Sequence, residues 1–477
     1  MLTKLMILRQ GNLPIIQGKG KIYAMDKAEI AKQINNVSPS FCLAKWLQVT
    51  IDLVNGTTHS CHHPKRHDIP IEGLDENPSQ LHNTPFKKEQ RKLMLEGVRP
   101  PECEYCWKIE DTPGDHYSDR LIKSSDDWAW PHLEKVKKLE WDQNINPTYL
   151  EVMFDNTCNL SCSYCLAPIS SSIYSEMKKF GPYPVKSKDH RMHQGPLKKY
   201  PQNENPYIKA FWKWLPDLES DLKVLRITGG EPLLSSETET LLEKIDEGSF
   251  KKLSLSFNSN LIIPDQIIDK FIKKVKSLLE NKKIKSFDLF ASVDSSGKQA
   301  EYIRRGLDYQ KFVSNIKKFA KELPEARVII MGTFGVMSIT GFRKLLQEIY
   351  EIKKDTGNVI LDLSYLKDPD YLRANLVGES LIEIVKEDLH WMKQHQSEKG
   401  DGFSSHEVNK LARILNWMIS SHADEENVSL RGDFFSFVNE YDKRYGSSFV
   451  ETFPEMKEFY VEAKKSKFLS KFGVEQT

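Results

Sequence analysis

Three cysteines within eight residues, Cys158-Asn-Leu-Ser-Cys162-Ser-Tyr-Cys165, constrain this chain more than any other feature. A C-x3-C-x2-C triplet offers three thiolates where a four-iron cluster has four irons, so one iron is left open. An open iron is a place for chemistry, whereas a fully ligated cluster passes electrons or holds structure. The competing use is structural zinc, which takes four Cys or His ligands. No fourth Cys or His lies between Asp155 and Pro168, which disfavours zinc at this loop.

The remaining cysteines invite the same arithmetic. Seven is an odd number for a disulfide framework, and a reducing compartment disfavours disulfides in any case. Removing the triplet leaves Cys42, Cys61, Cys103 and Cys106, the number of thiolates that completes an ordinary four-iron cluster. A zinc site fits these four as well, because Cys103-Glu-Tyr-Cys106 is also a common zinc half-site. His62, next to Cys61, is an ambiguous additional candidate, and His63 and His67 read as surface residues. Lys and Arg number 68 against 67 Asp and Glu, so no global field points to nucleic acid or an anionic membrane. No apolar run reaches the length of a membrane span, and Met1–Leu8 is too short for a signal peptide, so a cytoplasmic protein is expected.

Six stretches read as buried strands: Tyr149–Asp155, Val224–Ile227, Leu253–Phe257, Phe287–Val293, Val328–Phe334 and Val359–Ser364. Helix-like segments separate them. Asp265 to Leu279, for example, carries Ile267, Ile268, Phe271, Ile272, Val275 and Leu278 on one face and lysines on the other. Alternation of this kind predicts a parallel sheet. The polar motifs fall just past strand ends: Asp155 before the triplet, Thr228-Gly229-Gly230-Glu231 after Ile227, Asn258-Ser259-Asn260 after Phe257, and Ser292 and Asp294 around Val293. In (β/α) barrels that edge carries the active site. Leu166 to Asn205 shows no sustained periodicity and reads as a covering loop or disordered insertion. From Gly378 onward the chain reads as helices, with Ser404-Ser-His-Glu407 as a capping box ahead of Val408, Leu411, Ile414, Leu415 and Met418.

The triplet resembles the signature of the radical S-adenosylmethionine (SAM) superfamily, whose open iron is chelated by the amino and carboxylate groups of SAM. Tyr164 matches the aromatic position placed near the adenine, and Thr228-Gly229-Gly230-Glu231-Pro232 resembles the motif that binds the methionine ammonium. Glycines permit close backbone approach there, and Glu231 offers an acceptor. Asn258, Ser259 and Asn260 match a polar tripeptide near SAM, and Ser292 and Asp294 a strand-end motif directed at ribose or substrate. Thr333 is a weaker match. The resemblance implies a partial (β/α)6 barrel, a [4Fe-4S] cluster on Cys158, Cys162 and Cys165, and SAM as cofactor.

The spacing Cys42-x13-Gly56-x4-Cys61, with Phe41, Trp46, Gly97, Cys103, Cys106, Glu110, Ser118 and Arg120, resembles the auxiliary-cluster modules of twitch- and SPASM-type radical SAM proteins. Those modules usually follow the barrel; here the group precedes it. The family commonly has Pro before the tryptophan, where this chain has Lys45, and paired cysteines where it has Cys61-His62. Tyr441-Asp-Lys-Arg444 and Thr452-Phe-Pro-Glu455 resemble the family's C-terminal helical pattern. The expected organisation is therefore an auxiliary-cluster region over 1–145, the partial barrel over 146–370 and a helical extension over 371–477. The resemblance implies hydrogen abstraction by a 5′-deoxyadenosyl radical, a peptide or protein substrate, a second [4Fe-4S] cluster, and an electron donor such as flavodoxin or ferredoxin. Oxidation of a small molecule, a non-catalytic Fe–S redox sensor and a zinc-stapled interaction protein are the alternatives.

Overall fold

The computed structural model describes residues 27–114, 117–187, 200 and 204–472. Nine strands form one sheet: β1 (Gln48–Asp52), β2 (Thr57–His59), β3 (His67–Asp68), β4 (Tyr149–Met153), β5 (Val224–Thr228), β6 (Ser254–Ser259), β7 (Ser286–Ser292), β8 (Arg327–Phe334) and β9 (Val359–Tyr365). Their order is β9-β8-β7-β6-β5-β4-β1-β2-β3, with parallel pairing from β9 through β1. The six expected strands are all present, each within two residues of its expected ends. They make the partial barrel of β/α units, and β9 is not bonded to β3, so the barrel stays open.

β1 is the addition that the sequence did not announce. It comes from the region ahead of the expected barrel and pairs in parallel with β4, Gln48 opposite Tyr149 and Asp52 opposite Met153. The antiparallel pairs β1–β2 and β2–β3 then close that side. Hairpin closure depends on Gly56, whose φ of +67° is the left-handed region and whose Cβ position is filled by the Tyr207 ring.

Side chains alternate along the parallel strands, as the two-residue period of a strand requires. In β5 Leu225 and Ile227 are buried against the helices, while Val224, Arg226 and Thr228 face the lumen half-exposed. Helix Asp265–Glu280 buries Ile268, Phe271, Ile272, Val275 and Leu278, the face expected from its periodicity. One apolar cluster joins the barrel to the C-terminal helices, and a second gathers around Cys42, Cys103 and Cys106 with Phe41, Trp46 and Trp107. Ser171–Phe180 is an α-helix inside the stretch expected to be loop, and 188–199 and 201–203 of that stretch lie outside the described residues, as does Met1–Leu8.

Helix Ser405–Ser421 covers the free edge at β9, and its start shows why. The capping box at Ser404 and Glu407 forms as expected. Glu407 does more than cap: its carboxylate accepts from the Leu361 backbone N–H of β9 at 2.7 Å and pairs with Lys353 Nζ at 3.0 Å, both side chains being 2% exposed. Three elements thus meet on one buried carboxylate. Glu407→Ala, which strands a buried ammonium, is expected to cost about 3–5 kcal/mol in urea unfolding, and Lys353→Met combined with Glu407→Leu should recover much of that loss.

Candidate active site and second cysteine centre

Parallel pairing sends the C-terminal ends of β4 to β8 to a common rim, and the expected motifs collect there. The triplet loop follows β4 and is held from two sides. Ser161 and Cys162 pair antiparallel with Arg305 and Arg304, and the Cys158 backbone N–H donates to Ser171 Oγ at 3.1 Å. None of the three is in a disulfide, and all are half-buried. The Gly229-Gly230-Glu231 turn packs directly on this loop. A Cβ at Gly230 would sit 2.2 Å from the Thr157 carbonyl oxygen, and at Gly229, where φ is +128°, 2.5 Å from that of Asp155. The Glu231 N–H in turn donates to the Thr157 carbonyl at 2.7 Å.

Glu231 is 1% exposed and ties two motifs together. Its carboxylate accepts from Ser259 Oγ at 2.8 Å, from the Asn260 N–H at 2.7 Å and from the Leu233 N–H at 3.2 Å. Burial pushes its carboxyl up to about 7, against those hydrogen bonds. Asn260 also donates to Asn159 Oδ1 of the triplet loop at 2.9 Å. The structure therefore brings together Cys158, Cys162, Cys165, Gly229, Gly230, Glu231, Ser259 and Asn260.

Asp294, 2% exposed, organises the other half of the rim. It accepts from Tyr164 Oη at 2.8 Å, from Arg304 Nε at 2.8 Å and from the Thr333 N–H at 2.8 Å. Arg304 also donates to Tyr164 Oη and lies 3.7 Å from Cys162 Sγ. Sequence reasoning gave Arg304 no role. It lies 142 residues from Cys162 and in no motif, so only the short pairing with Ser161–Cys162 reveals it. Tyr302, two residues earlier, donates to Asp442 at 2.9 Å and receives the Tyr441 hydroxyl on its carbonyl at 2.8 Å, which anchors this corner to the C-terminal helices. Asn258, at the lumen side of β6, accepts from Arg226 Nε at 2.9 Å, while Thr228 and Ser292 stand half-exposed at strand ends.

Residues 152–348 match the sequence profile of the Radical SAM superfamily. The chain carries a radical SAM domain. No curated protein is detectably similar in sequence. Among solved structures, Streptococcus suis SuiB bound to S-adenosylmethionine aligns at 14% identity over 73% of this chain and 69% of its own, with a TM-score of 0.36. SuiB bound to precursor peptide SuiA gives 13%, 73%, 70% and 0.34, and anSMEcpe with bound AdoMet and Cp18Cys peptide gives 18%, 50%, 60% and 0.30. Likenesses at this level fix neither activity nor substrate.

Outside the radical SAM segment, the other four cysteines, Cys42, Cys61, Cys103 and Cys106, line one cavity with Lys45 and Arg120 among its walls. Cys42 precedes β1 and Cys61 follows the antiparallel β2, so this cavity lies at the N-terminal edge of the strands, opposite the triplet. A five-residue strand separates those edges by about 16 Å at roughly 3.3 Å per residue. A tetrahedral zinc needs its sulfurs about 3.8 Å apart around bonds of roughly 2.3 Å. Among the described residues no three Cys, His, Asp or Glu side chains converge closely enough to hold a single metal ion. Three thiols on one loop and four around one cavity are donor sets that fit thiolate-held groups at the two centres. Burial pushes Cys158 up to about 11 and Cys103 to about 12, and raises Cys42, Cys61, Cys106 and Cys162, so loading either centre must release protons. His63, read as a surface residue, instead lines the cavity and bonds Asp119 at 2.7 Å. His62 is absent from the lining, and His67 bonds Thr84 at 2.8 Å.

The close approach at Gly230 gives a direct test of the rim. Gly230→Ala should destabilise the metal-free chain by about 1–3 kcal/mol in urea and speed alkylation of Cys158, because its Cβ must push the two loops apart. A loss below about 0.5 kcal/mol would mean that the contact is not enforced.

Proposed function

We propose that the chain is a radical SAM enzyme acting on a peptide or protein, with a [4Fe-4S] cluster on Cys158, Cys162 and Cys165 and an auxiliary [4Fe-4S] cluster on Cys42, Cys61, Cys103 and Cys106. The observation that carries this reading is the meeting of three cysteine thiols with the Gly229-Gly230-Glu231 turn on one rim of a parallel barrel, inside the segment that matches the superfamily profile. When bound, the open-iron cluster and SAM supply reductive cleavage to a 5′-deoxyadenosyl radical able to take hydrogen from an unactivated C–H bond.

The chain's own residues bind and orient. Three thiolates leave one iron free of protein ligands. Gly229 and Gly230 let backbone groups approach the methionine end of SAM, and Glu231 is the acceptor for its ammonium. Asn260 and Ser259 hold that carboxylate in place rather than competing for ligand. Asp294 and Arg304 fix the Tyr164 ring beside the triplet, where it can flank the adenine. Thr228, Asn258 and Ser292 line the mouth of the lumen, within which the substrate's reacting carbon has to lie. Below them the lumen stays polar: Arg226 stacks on Phe290 at 4.1 Å, and no carboxylate among the described residues pairs with it. A polar, open-sided lumen suits a large substrate. The twitch-type resemblance supplies the preference for a peptide, and that step is analogy. Electrons come from a donor such as flavodoxin or ferredoxin.

The deciding experiment uses full-length protein reconstituted without oxygen, then given dithionite and SAM. Expected are about eight irons per chain, from two four-iron clusters, and formation of 5′-deoxyadenosine and methionine. The Cys158/Cys162/Cys165→Ala variant should hold about four irons and form neither product. Intact SAM with both clusters loaded would favour the redox-sensor reading, and zinc in place of iron would end both.

A further inference from the structure

The second cysteine centre is surrounded by buried positive charge that the polypeptide does not balance. Lys45, Lys87, Arg91 and Arg120 are 2%, 1%, 0% and 3% exposed. Among the described residues their carboxylate partners are two: Glu102 on Lys45, and Glu110 on Arg120 at 2.9 Å. Lys87 and Arg91 rest on neutral groups, Lys87 on the Gln48 carbonyl and His82 Nδ1 at 2.9 Å each, and Arg91 on Asn83 Oδ1 at 3.1 Å. Even with Lys87 neutral, Arg91 has no carboxylate partner among the described residues. Unpaired charge in an interior is costly, so this surplus calls for a negative group nearby.

Both ion pairs are oriented. Lys45 and Arg120 stand in the cavity wall with the four cysteines, whereas Glu102 and Glu110 are outside that wall. Each pair therefore brings its cationic residue, and not its carboxylate, to the cavity wall. Arg120 spends its guanidinium on Glu110, the Phe41 carbonyl and Asn35. Lys45 has three N–H donors, and Glu102 is its one hydrogen-bond acceptor among the described residues. At 2% exposure the spare donors have no water to turn to, and Lys45 lines the cavity that the four cysteines share. The plain alternative is that Lys45 and Glu102 are a structural ion pair only.

A four-iron cluster on four thiolates is a net anion and becomes more negative on reduction, so charge and hydrogen bonds near its sulfurs set its potential. Resting on the auxiliary-cluster reading, we propose that Lys45 is a positioning residue for that cluster, its ammonium directed at the thiolate cage and raising the cluster's reduction potential. Glu102 aims the ammonium, and Arg120 supplies a second, fixed positive end. A raised potential suits a cluster that accepts electrons within the enzyme rather than one that delivers them to the triplet.

The test uses the full-length chain in the Cys158/Cys162/Cys165→Ala background, so that one cluster gives the signal, with the midpoint read by EPR-monitored redox titration. Lys45→Met with Glu102→Gln removes both charges without stranding a carboxylate, and Lys45→Arg keeps the cation. The midpoint should move to more negative potential in the double variant and stay near the parent in Lys45→Arg. An unchanged midpoint at about four irons per chain would overturn the inference and leave the cluster reading standing. Should the double variant fail to hold iron, Lys45→Gln decides by the same criterion, and iron loss there too would make Lys45 an assembly residue and overturn the tuning role. A parent background that holds no iron would overturn the auxiliary-cluster reading itself.

Discussion

The parallel ladder between Gln48–Asp52 and Tyr149–Met153 is the contact on which both centres depend. Without it, the N-terminal cysteines would sit on a separate appendage. With it, Cys42 and Cys61 are fixed at one end of a strand pair whose other end launches the triplet. Sheet hydrogen bonds are directional and registered, and a one-residue slip would turn the lumen face of β1 into its core face. The distance and relative orientation of the two centres are therefore set by a five-residue ladder rather than by a flexible linkage.

Buried charge is used in opposite senses at the two ends. On the triplet rim, Glu231 and Asp294 are acidic hubs, each collecting donors from segments remote in sequence, so that one side chain holds several loops in register. Asp294 is compensated by Arg304 at 2.8 Å, whereas Glu231 has only neutral donors, which is why burial drives its carboxyl upward. At the N-terminal end the buried charge is mainly cationic, on Lys45, Lys87, Arg91 and Arg120. Thiolate-rich groups would be stabilised by the second arrangement, and a ligand ammonium by the first.

Much of the architecture was legible because its signals are local. Six β-branched strands, the amphipathic face of Asp265–Glu280 and the Ser404 capping box each follow from a few adjacent residues. β1 was not legible: Gln-Val-Thr-Ile-Asp is short, half polar and bounded by a helix only five residues long, so nothing in its periodicity separates it from loop. Ser171–Phe180 escaped for a similar reason, its apolar positions being few and its cap, Ser170, lying beside a run of serines. Arg304 could not be found at all by spacing, since its partners Asp294, Tyr164 and Cys162 come from three separate segments. Motifs marked the rim, but the residues that hold the motifs in place are tertiary and had to be seen.

The lumen between the two centres follows from the same strand alternation. A closed (β/α) barrel fills its interior with branched apolar layers. Here the inward layer in register with Arg226 runs through Glu151, Ser256 and Asp288, and Arg327 closes on Asp288 at 2.7 Å. Such side chains cannot pack dry, because Arg226 and Glu151 have no partner of opposite charge within ion-pair distance among the described residues. Both are half-exposed, so their charges stay solvated. The inward layer that an ordinary barrel spends on apolar packing is thus polar here, and the apolar burial is supplied by the outer layer, where the helices cover the opposite face of the parallel strands.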